Sequence, residues 1–597
     1  MTKVVIGDAP LTIDEVITVA RGTAEVVLGA AARQRIEAAH DVVAGVVARE
    51  RVAYGVTTGF GQLATTHIPV GKVRELQENL VRSHAVGLGA PLSREVVRAA
   101  MVIRLNTMAR GHSGVRLSVA EHLAACINAD LVPWVPSRGS LGASGDLAPS
   151  AHLVLAMMGE GELLTPEGGR EPSGPALRAA GLAPLALEAK EGLSLLNGTQ
   201  FMAAIGCMLV DDGETLLDSA DLIGAMSLEG LRASVGPFQE RIQALRPIPG
   251  QLVTAANVRR ATAGSGIMLS HLNCDKVQDA YSLRCIPQVH GACRDALGWL
   301  RRVVAVEVDA VTDNPLIFPE SGEIISAGNF HGEPLALALD LAAMSLAEAA
   351  SISERRTFRM LTSSLSELPP FLTTDSGLNN GYMIAQYTAA ALVAENKVLC
   401  HPASVDSIPS SGDQEDHVSM GMTAALKALD VLANTQMVLA IEAVCAAQAI
   451  DLLAPLDPGA GTGAGRAVVR EAAPMLERDR YLAPELEAVT RAVAAGRFAA
   501  IVRDTSATSF RRSGRLPEEA LPPCCDSAAI TLASPLAAAR RIACSEPPLL
   551  ADAVRRPAFP DEQIERLRGQ FVTALKIQEQ DTRYVAGRMF RELVYGD

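Results

Sequence analysis

The sequence predicts a mainly α-helical protein: a long central helical bundle preceded by an N-terminal region of helices and loops. Two observations predict it. The 597 residues are 49% hydrophobic but only 4% aromatic, and Ala, Leu and Val, which suit long helices, dominate. Three stretches, about 335–361, 380–399 and 414–453, carry apolar residues almost without Pro or Gly. The last is long enough to run for tens of ångströms. Helices this long and apolar call for partners, so packing between subunits is expected. A chain of this length exceeds one simple core. The expected division is 1–200, 201–503 and an atypical tail, 504–597.

Composition narrows the function classes. The net charge is −14 and the pI about 5.4, which argues against nucleic acid and acidic membrane surfaces as partners. The start, Met1 to Val19, lacks a basic segment followed by a long apolar run, so no signal peptide is expected. No run of some 18 uninterrupted apolar residues occurs, so no membrane span is expected. The ten cysteines are scattered without Cys-x-x-Cys or zinc-like spacing. They read as reduced thiols of a cytoplasmic protein that holds no metal.

Along the chain, residues 12–50 read as helix, with Ile13, Val16, Ile17 and Val19 and then Ala31 to Val47 at helical spacing. Tyr54-Gly55-Val56-Thr57-Thr58-Gly59-Phe60-Gly61 carries three glycines among β-branched residues and reads as a loop presenting the Tyr54 hydroxyl. Residues 82–91, including His84, close one helix and open another. Gly139 to Pro149 contains Ala143-Ser144-Gly145, and Asp146 to Met158 follows as a helix, with Asp146 at its cap and Pro149 in its first turn. Residues 165–185, rich in Gly and Pro, read as a surface excursion, and Asn197-Gly198 as a turn. Residues 201–234 read as helix. Gln278, Tyr281 and Arg284 recur at spacing three, so a helix would put them on one face. Arg284 offers a planar fork suited to a carboxylate. Ala327 to Pro334 is a loop-to-helix junction holding Phe330. Asp457 to Gly463 reads as a flexible connection, followed by helix to about Val502.

Chemistry concentrates at Ala143-Ser144-Gly145. The Gly145 amide is unhindered. Pressed against the Ala143 carbonyl, it can close a five-membered ring. Loss of water from the ring, and of the Ser144 hydroxyl with its α-hydrogen, leaves a methylidene conjugated to an imidazolone. That is an electrophile no ordinary side chain supplies. Taken alone, the tripeptide reads better as a Gly/Ser turn with Asp146 capping a helix. A serine hydrolase on Ser144 fits less well, because Gly142-Ala143-Ser144-Gly145-Asp146 lacks the second glycine of Gly-x-Ser-x-Gly.

The undecapeptide Gly139 to Pro149 as a whole resembles the prosthetic-group loop of the aromatic amino acid ammonia-lyase family. The resemblance runs from about Thr12 to Val502. It takes in Tyr54 to Gly61, Asn197-Gly198-Thr199, Asn273 to Cys285, Ala327 to Pro334, Gly381 to Gln386 and Gln414 to Met420. It implies 4-methylideneimidazole-5-one built from Ala143, Ser144 and Gly145 with no external cofactor, and a homotetramer whose sites are shared among subunits. It further implies Tyr54 as base with Glu415 a contender, and Arg284 on the substrate carboxylate. Asn197, Gln278 and Tyr281 would orient substrate and polarise the ring, Phe330 would shape its wall, and His84, Met383 and Glu415 would line the side-chain pocket. Placing the methylidene near a helix N-terminus would increase its electrophilicity.

Ser83-His84 and Glu415 are similar to the residues of histidine-specific members. Phenylalanine and tyrosine lyases usually carry Phe-Leu or His-Leu at the first pair and Asn-Gln at the second. Some tyrosine aminomutases also show Ser-His. The implied reaction is elimination of ammonia from L-histidine to trans-urocanate. A tyrosine or phenylalanine lyase or aminomutase, a non-catalytic helical scaffold, and a plain helix-start carboxylate at Glu415 stay open. The tail, from Pro557-Ala558-Phe559-Pro560 to Asp597, resembles a helical stretch of insulinase-like zinc peptidases without His-x-x-Glu-His.

Overall fold

A computed structural model of the chain describes residues 2–142, 145–272 and 276–504. Ala143, Ser144 and the tail beyond Asp504 lie outside the described residues. The described residues belong to one compact unit, and its architecture is mainly helical, as the composition predicts.

Its N-terminal edge departs from the expected helix over 12–50. Strand Thr2–Ile6 lies parallel to strand Ala24–Leu28, in register from Thr2 opposite Ala24 to Ile6 opposite Leu28. Helix Ile13–Ala20 connects them, opened by a capping box between Thr12 and Glu15. Gly22, at φ +72°, turns the chain out of that helix. The run Ala-Glu-Val-Val-Leu then alternates buried and half-buried residues and forms a strand. Helix resumes as Ala30–Ala48. Three further two-stranded sheets complete the strands among the described residues. The 165–185 excursion contributes strand Arg170–Pro172 to one of them, paired with Glu162–Leu164 just before it.

The centre is a bundle of four long helices: Gln200–Gly230, Ile286–Glu307, Glu333–Leu361 and Gly421–Leu452. The last two make the most extensive contact, and both pack on Gln200–Gly230. Small residues let the axes approach: a Cβ on Gly230 would sit 2.7 Å from the Ala449 Cβ. Glu333–Leu361 and Gly421–Leu452 are long and apolar enough to cross a membrane by length and composition. Most of each apolar stretch is buried inside the bundle. Counting uninterrupted apolar residues passed over both, because each carries scattered charges. One charge pair is itself fully buried: the Arg356 guanidinium donates to Glu442, 2.8 Å from Nη2 to Oε2, and Ser227 donates to the same carboxylate at 2.6 Å.

Three expected boundaries move. The helix read from 380 begins at Met383. The helix read from 414 begins at Gly421, because Met420 sits in the left-handed region at φ +53°. The supposed flexible connection 457–463 becomes helical from Ala460. Its glycines serve close packing: a Cβ on Gly461 would lie 2.7 Å from the Ala261 Cα.

Candidate active site

The loop at 139–146 is clamped on both sides. Upstream, the Gly142 carbonyl accepts from the Ser419 hydroxyl at 3.2 Å, and the Leu141 carbonyl accepts from the Met420 amide at 2.9 Å. Downstream, the Asp146 amide donates to the Gly198 carbonyl at 2.6 Å. Gly145 has φ +78°, and a Cβ there would lie 2.0 Å from the same Gly198 oxygen. Only glycine fits that position. Ala143 and Ser144 lie between the two clamps.

Helix Leu147–Met157 follows, as expected, but Asp146 does not cap it with its side chain. Its fully buried carboxylate reaches across to the start of Gln200–Gly230 and accepts from the Phe201 and Met202 amides at 2.8 and 3.0 Å. Burial pushes this carboxyl up to about 7, while those two amides act to hold it down. Two helix N-termini therefore meet at Asp146, the first from Leu147 and the second from Gln200, whose leading amides the Asp146 carboxylate takes up.

Asn197 ends the short helix Glu191–Leu196 beside this loop. The Arg104 guanidinium, fully buried, holds the Ser194 carbonyl at 3.0 Å and also the Asn197 carbonyl. Burial lowers its pKa to about 10, and Asp313 and Asp146 oppose that fall. The Asn197 Nδ2 donates to the Asn314 carbonyl at 3.1 Å.

A cavity of about 900 Å³ opens here, and Tyr54, His84, Asn197, Phe330 and Glu415 all line it. Tyr54 is half-buried, and its hydroxyl oxygen accepts from the Gly61 amide at 3.3 Å. His84 ends helix Val73–His84. Its Nδ1 lies 2.8 Å from the Leu80 carbonyl, which only accepts, so Nδ1 carries the hydrogen. Burial lowers the His84 pKa, opposed by that carbonyl and by the nearby Glu415 carboxylate.

Glu415 is not a helix-start carboxylate. It closes a hairpin with Ser410, with backbone bonds of 3.0 and 3.3 Å between the two residues and a bond from the Ser410 hydroxyl to its carboxylate. Ser411 and Asp413 between them adopt positive φ. The hairpin tip packs on the Tyr54 loop: a Cβ on Gly61 would meet the Ser411 Oγ at 2.3 Å.

The other candidates lie elsewhere on the chain. Gln278 and Arg284 line a separate cavity of about 400 Å³ with Arg232, His271 and Lys276. Only Tyr281–Arg284 is helical in this segment, so Gln278 precedes the helix and does not share its face. Tyr281 is 72% exposed, with the Arg284 guanidinium 4.5 Å above its ring. Met383 is the half-buried first residue of helix Met383–Leu399.

Sequence reasoning missed Arg104, Asn314 and the serines of the hairpin. Arg104 carried one signal, a lone charge in the apolar run Met101 to Leu105. Among the described residues, no three His, Cys, Asp or Glu side chains gather as a metal site.

Comparison with known proteins shows which proteins the chain is similar to. The aromatic amino acid lyase family matches residues 11–471. A histidine ammonia-lyase of Anaeromyxobacter dehalogenans is 52% identical over 504 residues, spanning 83% of this chain and 99% of that protein. One from Caldanaerobacter subterraneus is 49% identical, spanning 84% and 99%. Among solved structures, histidine ammonia-lyase from Trypanosoma cruzi superposes with a TM-score of 0.78 at 40% identity, over 84% of this chain and 96% of that one. Tyrosine aminomutase from Streptomyces globisporus superposes at 0.80 and 37% identity, over 85% and 100%.

Proposed function

The chain belongs to the aromatic amino acid lyase family, and from that premise we propose that it releases ammonia from L-histidine to form trans-urocanate. The observation that carries the substrate is Glu415 close to His84 on the wall of the cavity that Tyr54 and Asn197 also line. An imidazole brings two ring nitrogens that need partners when buried, and these two side chains offer them.

The flanks of Ala143 and Ser144 fit a methylideneimidazolone. Gly145 is held in a conformation that excludes a side chain, and both ends of the loop are fixed. The group would be formed by Ala143, Ser144 and Gly145 and would supply an electrophile for the substrate amine, making the amine a better leaving group. The β-hydrogen of free histidine is not acidic, so a positioned base has to remove it. Tyr54 is the proposed base and Glu415 the contender. Arg284 would hold the substrate carboxylate, with Gln278 and Tyr281 beside it, and Met383 would complete the ring pocket. Phe330 would form the wall over the prosthetic group.

Because Gln278, Tyr281, Arg284 and Met383 lie apart from the 900 Å³ cavity within one chain, the reading requires subunits to share each site. Exposed apolar residues on Met383–Leu399, namely Ile384, Tyr387 and Val398, suit that assembly. Light scattering of the active protein is expected to give a homotetramer; a fully active monomer contradicts it. A cytoplasmic location and the division at 200/201 and 503/504 belong to the same proposal. Matched relatives span about 83% of the chain, so deleting Thr505–Asp597 should leave turnover unchanged. An inactive or insoluble truncated protein would give the tail a role in the core.

The test of the substrate is incubation of purified protein with L-histidine, L-tyrosine and L-phenylalanine and identification of products. Urocanate from histidine alone is expected. A β-amino acid or cinnamate-type product as the main outcome would transfer the reading to an aminomutase or another lyase, which the aminomutase superposition makes the alternative to exclude.

A further inference from the structure

Asn197 has no charge and no reactive atom, so its use to a site depends on where its amide points. Its Nδ2 donates to the Asn314 main-chain oxygen. A carbonyl oxygen only accepts, so the amide nitrogen faces it and Oδ1 turns away. That Oδ1 is buried and meets no donor among the described residues, and Asn197 lines the cavity. The acceptor side of the amide is thus left open toward the cavity by the side chains of the described residues.

Asn314 is fixed in turn. Its Oδ1 accepts from the Ala327 amide at 2.8 Å and the Ser326 hydroxyl at 3.1 Å, both on the cavity wall. Its main-chain N–H donates to Asp313 Oδ1 at 2.7 Å. Asp313 Oδ2 lies 3.2 Å from Lys190 Nζ, and both side chains are fully buried. Lys190 also donates to the Ser113 carbonyl at 2.8 Å and the Ser194 hydroxyl at 2.7 Å. It sits at φ +66°, a left-handed conformation costly for a side chain, at the head of the short helix whose foot is Asn197. The contacts therefore close a ring: Lys190 to Asp313, Asp313 to Asn314, Asn314 to Asn197, and back along one helix.

We propose that the buried Lys190–Asp313 ion pair, acting through Asn314, is a positioning device that sets the Asn197 amide for the reaction. The proposal rests on the lyase reading above. Burying an ion pair gives little net stability compared with apolar packing, so a role in placement accounts for it better than a role in holding the fold.

A double-mutant cycle separates placement from folding. Asp313→Asn keeps the shape and the acceptor for the Asn314 amide but removes the charge that holds Lys190. It is made alone and with Asn197→Ala. Turnover and KM, thermal midpoint and intact mass are measured for each, and loss of two waters in every variant shows that the prosthetic group has formed. Asp313→Asn alone should lower kcat about tenfold to a hundredfold with KM little changed. In the Asn197→Ala background the same substitution should change kcat by no more than about twofold, while its effect on the thermal midpoint stays the same. Equal losses of kcat in both backgrounds, or wild-type kcat for Asp313→Asn, overturn the proposal. Where Asp313→Asn does not fold, Lys190→Gln enters the same cycle under the same criteria, since it removes the other charge of the pair and leaves Asn314 and its contacts in place. A wild type that prefers tyrosine or phenylalanine removes the substrate reading and leaves the cycle readable on that amino acid. A wild type that turns over none of the three overturns both.

Discussion

Ser144→Ala should abolish ammonia release while leaving the fold and its thermal midpoint intact. The oxygen that has to leave to create the methylidene is the Ser144 hydroxyl, and alanine has none. The chain on either side is clamped, at Gly142 and at Gly145–Asp146, by main-chain groups and by the Ser419 side chain. None of these contacts uses the Ser144 side chain, so the surroundings should keep their shape. Without the electrophile the amine stays a poor leaving group, and the proposed base, Tyr54 or its contender Glu415, would face a hydrogen it cannot remove. The expected fall in kcat is on the order of a thousandfold or more, the scale seen when a group on which all the others depend is lost. Intact mass supplies an independent reading: wild type should weigh two waters less than its sequence, and the variant should not. Ammonia release at the wild-type rate by Ser144→Ala would end the methylidene hypothesis.

The parts of this molecule that sequence reveals are those whose cause is local. Gly145 and Gly142 announce a tight loop because positive φ is cheap only for glycine, and both adopt it. The bundle helices are legible because runs such as Val438 to Ala449 hold no breaker. What stayed hidden depends on distant partners. Ala24–Leu28 is a short apolar run, and periodicity alone cannot tell a buried strand from helix; its state is decided by Thr2–Ile6 lying alongside. Asp146 looked like an ordinary cap because a cap is the nearest use of a carboxylate at a helix start. Its actual partners are 55 and 56 residues away.

The same division runs through the site. Tyr54, His84, Asn197, Phe330 and Glu415, expected from five separate motifs, meet on one cavity. Gln278, Tyr281 and Arg284, expected beside them, do not meet them within one chain, and no spacing rule predicts which subunit a side chain serves. Arg104, Lys190 and Asp313 were invisible for a related reason. A buried charge is recognisable only once its counter-charge and carbonyl partners are in place, and these come from distant segments, 123 residues apart for Lys190 and Asp313.

Glu415→Gln should cost most of the histidine activity without a matching gain on phenylalanine. The carboxylate belongs to a hairpin, not to the first turn of Gly421–Leu452, so no helix dipole accounts for its presence there. It is half-buried on the cavity wall and lies close enough to His84 to favour that ring's protonated form, against the stronger effect of burial. Beside an imidazole N–H the carboxylate gains a charge-assisted hydrogen bond. Beside a phenyl ring it would lose water with nothing to replace it, at a cost of about 1–3 kcal/mol. One side chain thus raises affinity for histidine and lowers it for phenylalanine. Glutamine keeps the shape, and its amide can still meet the Ser410 hydroxyl, so the hairpin should survive. It removes the charge and any capacity to act as base, and it leaves His84 more firmly neutral. The expected loss of kcat/KM on histidine is about a hundredfold, and larger if Glu415 is the base, since a positioned base contributes about 10²–10⁴-fold. Phenylalanine should gain little, because His84 and the Ser410–Glu415 hairpin still shape the wall. Steady-state rates on both amino acids, followed by the ultraviolet absorbance of the unsaturated acids, measure the two effects together. Unchanged histidine turnover would mean that Glu415 meets neither the imidazole nor the β-proton, and the case for histidine over the other aromatic amino acids would lose its main physical support.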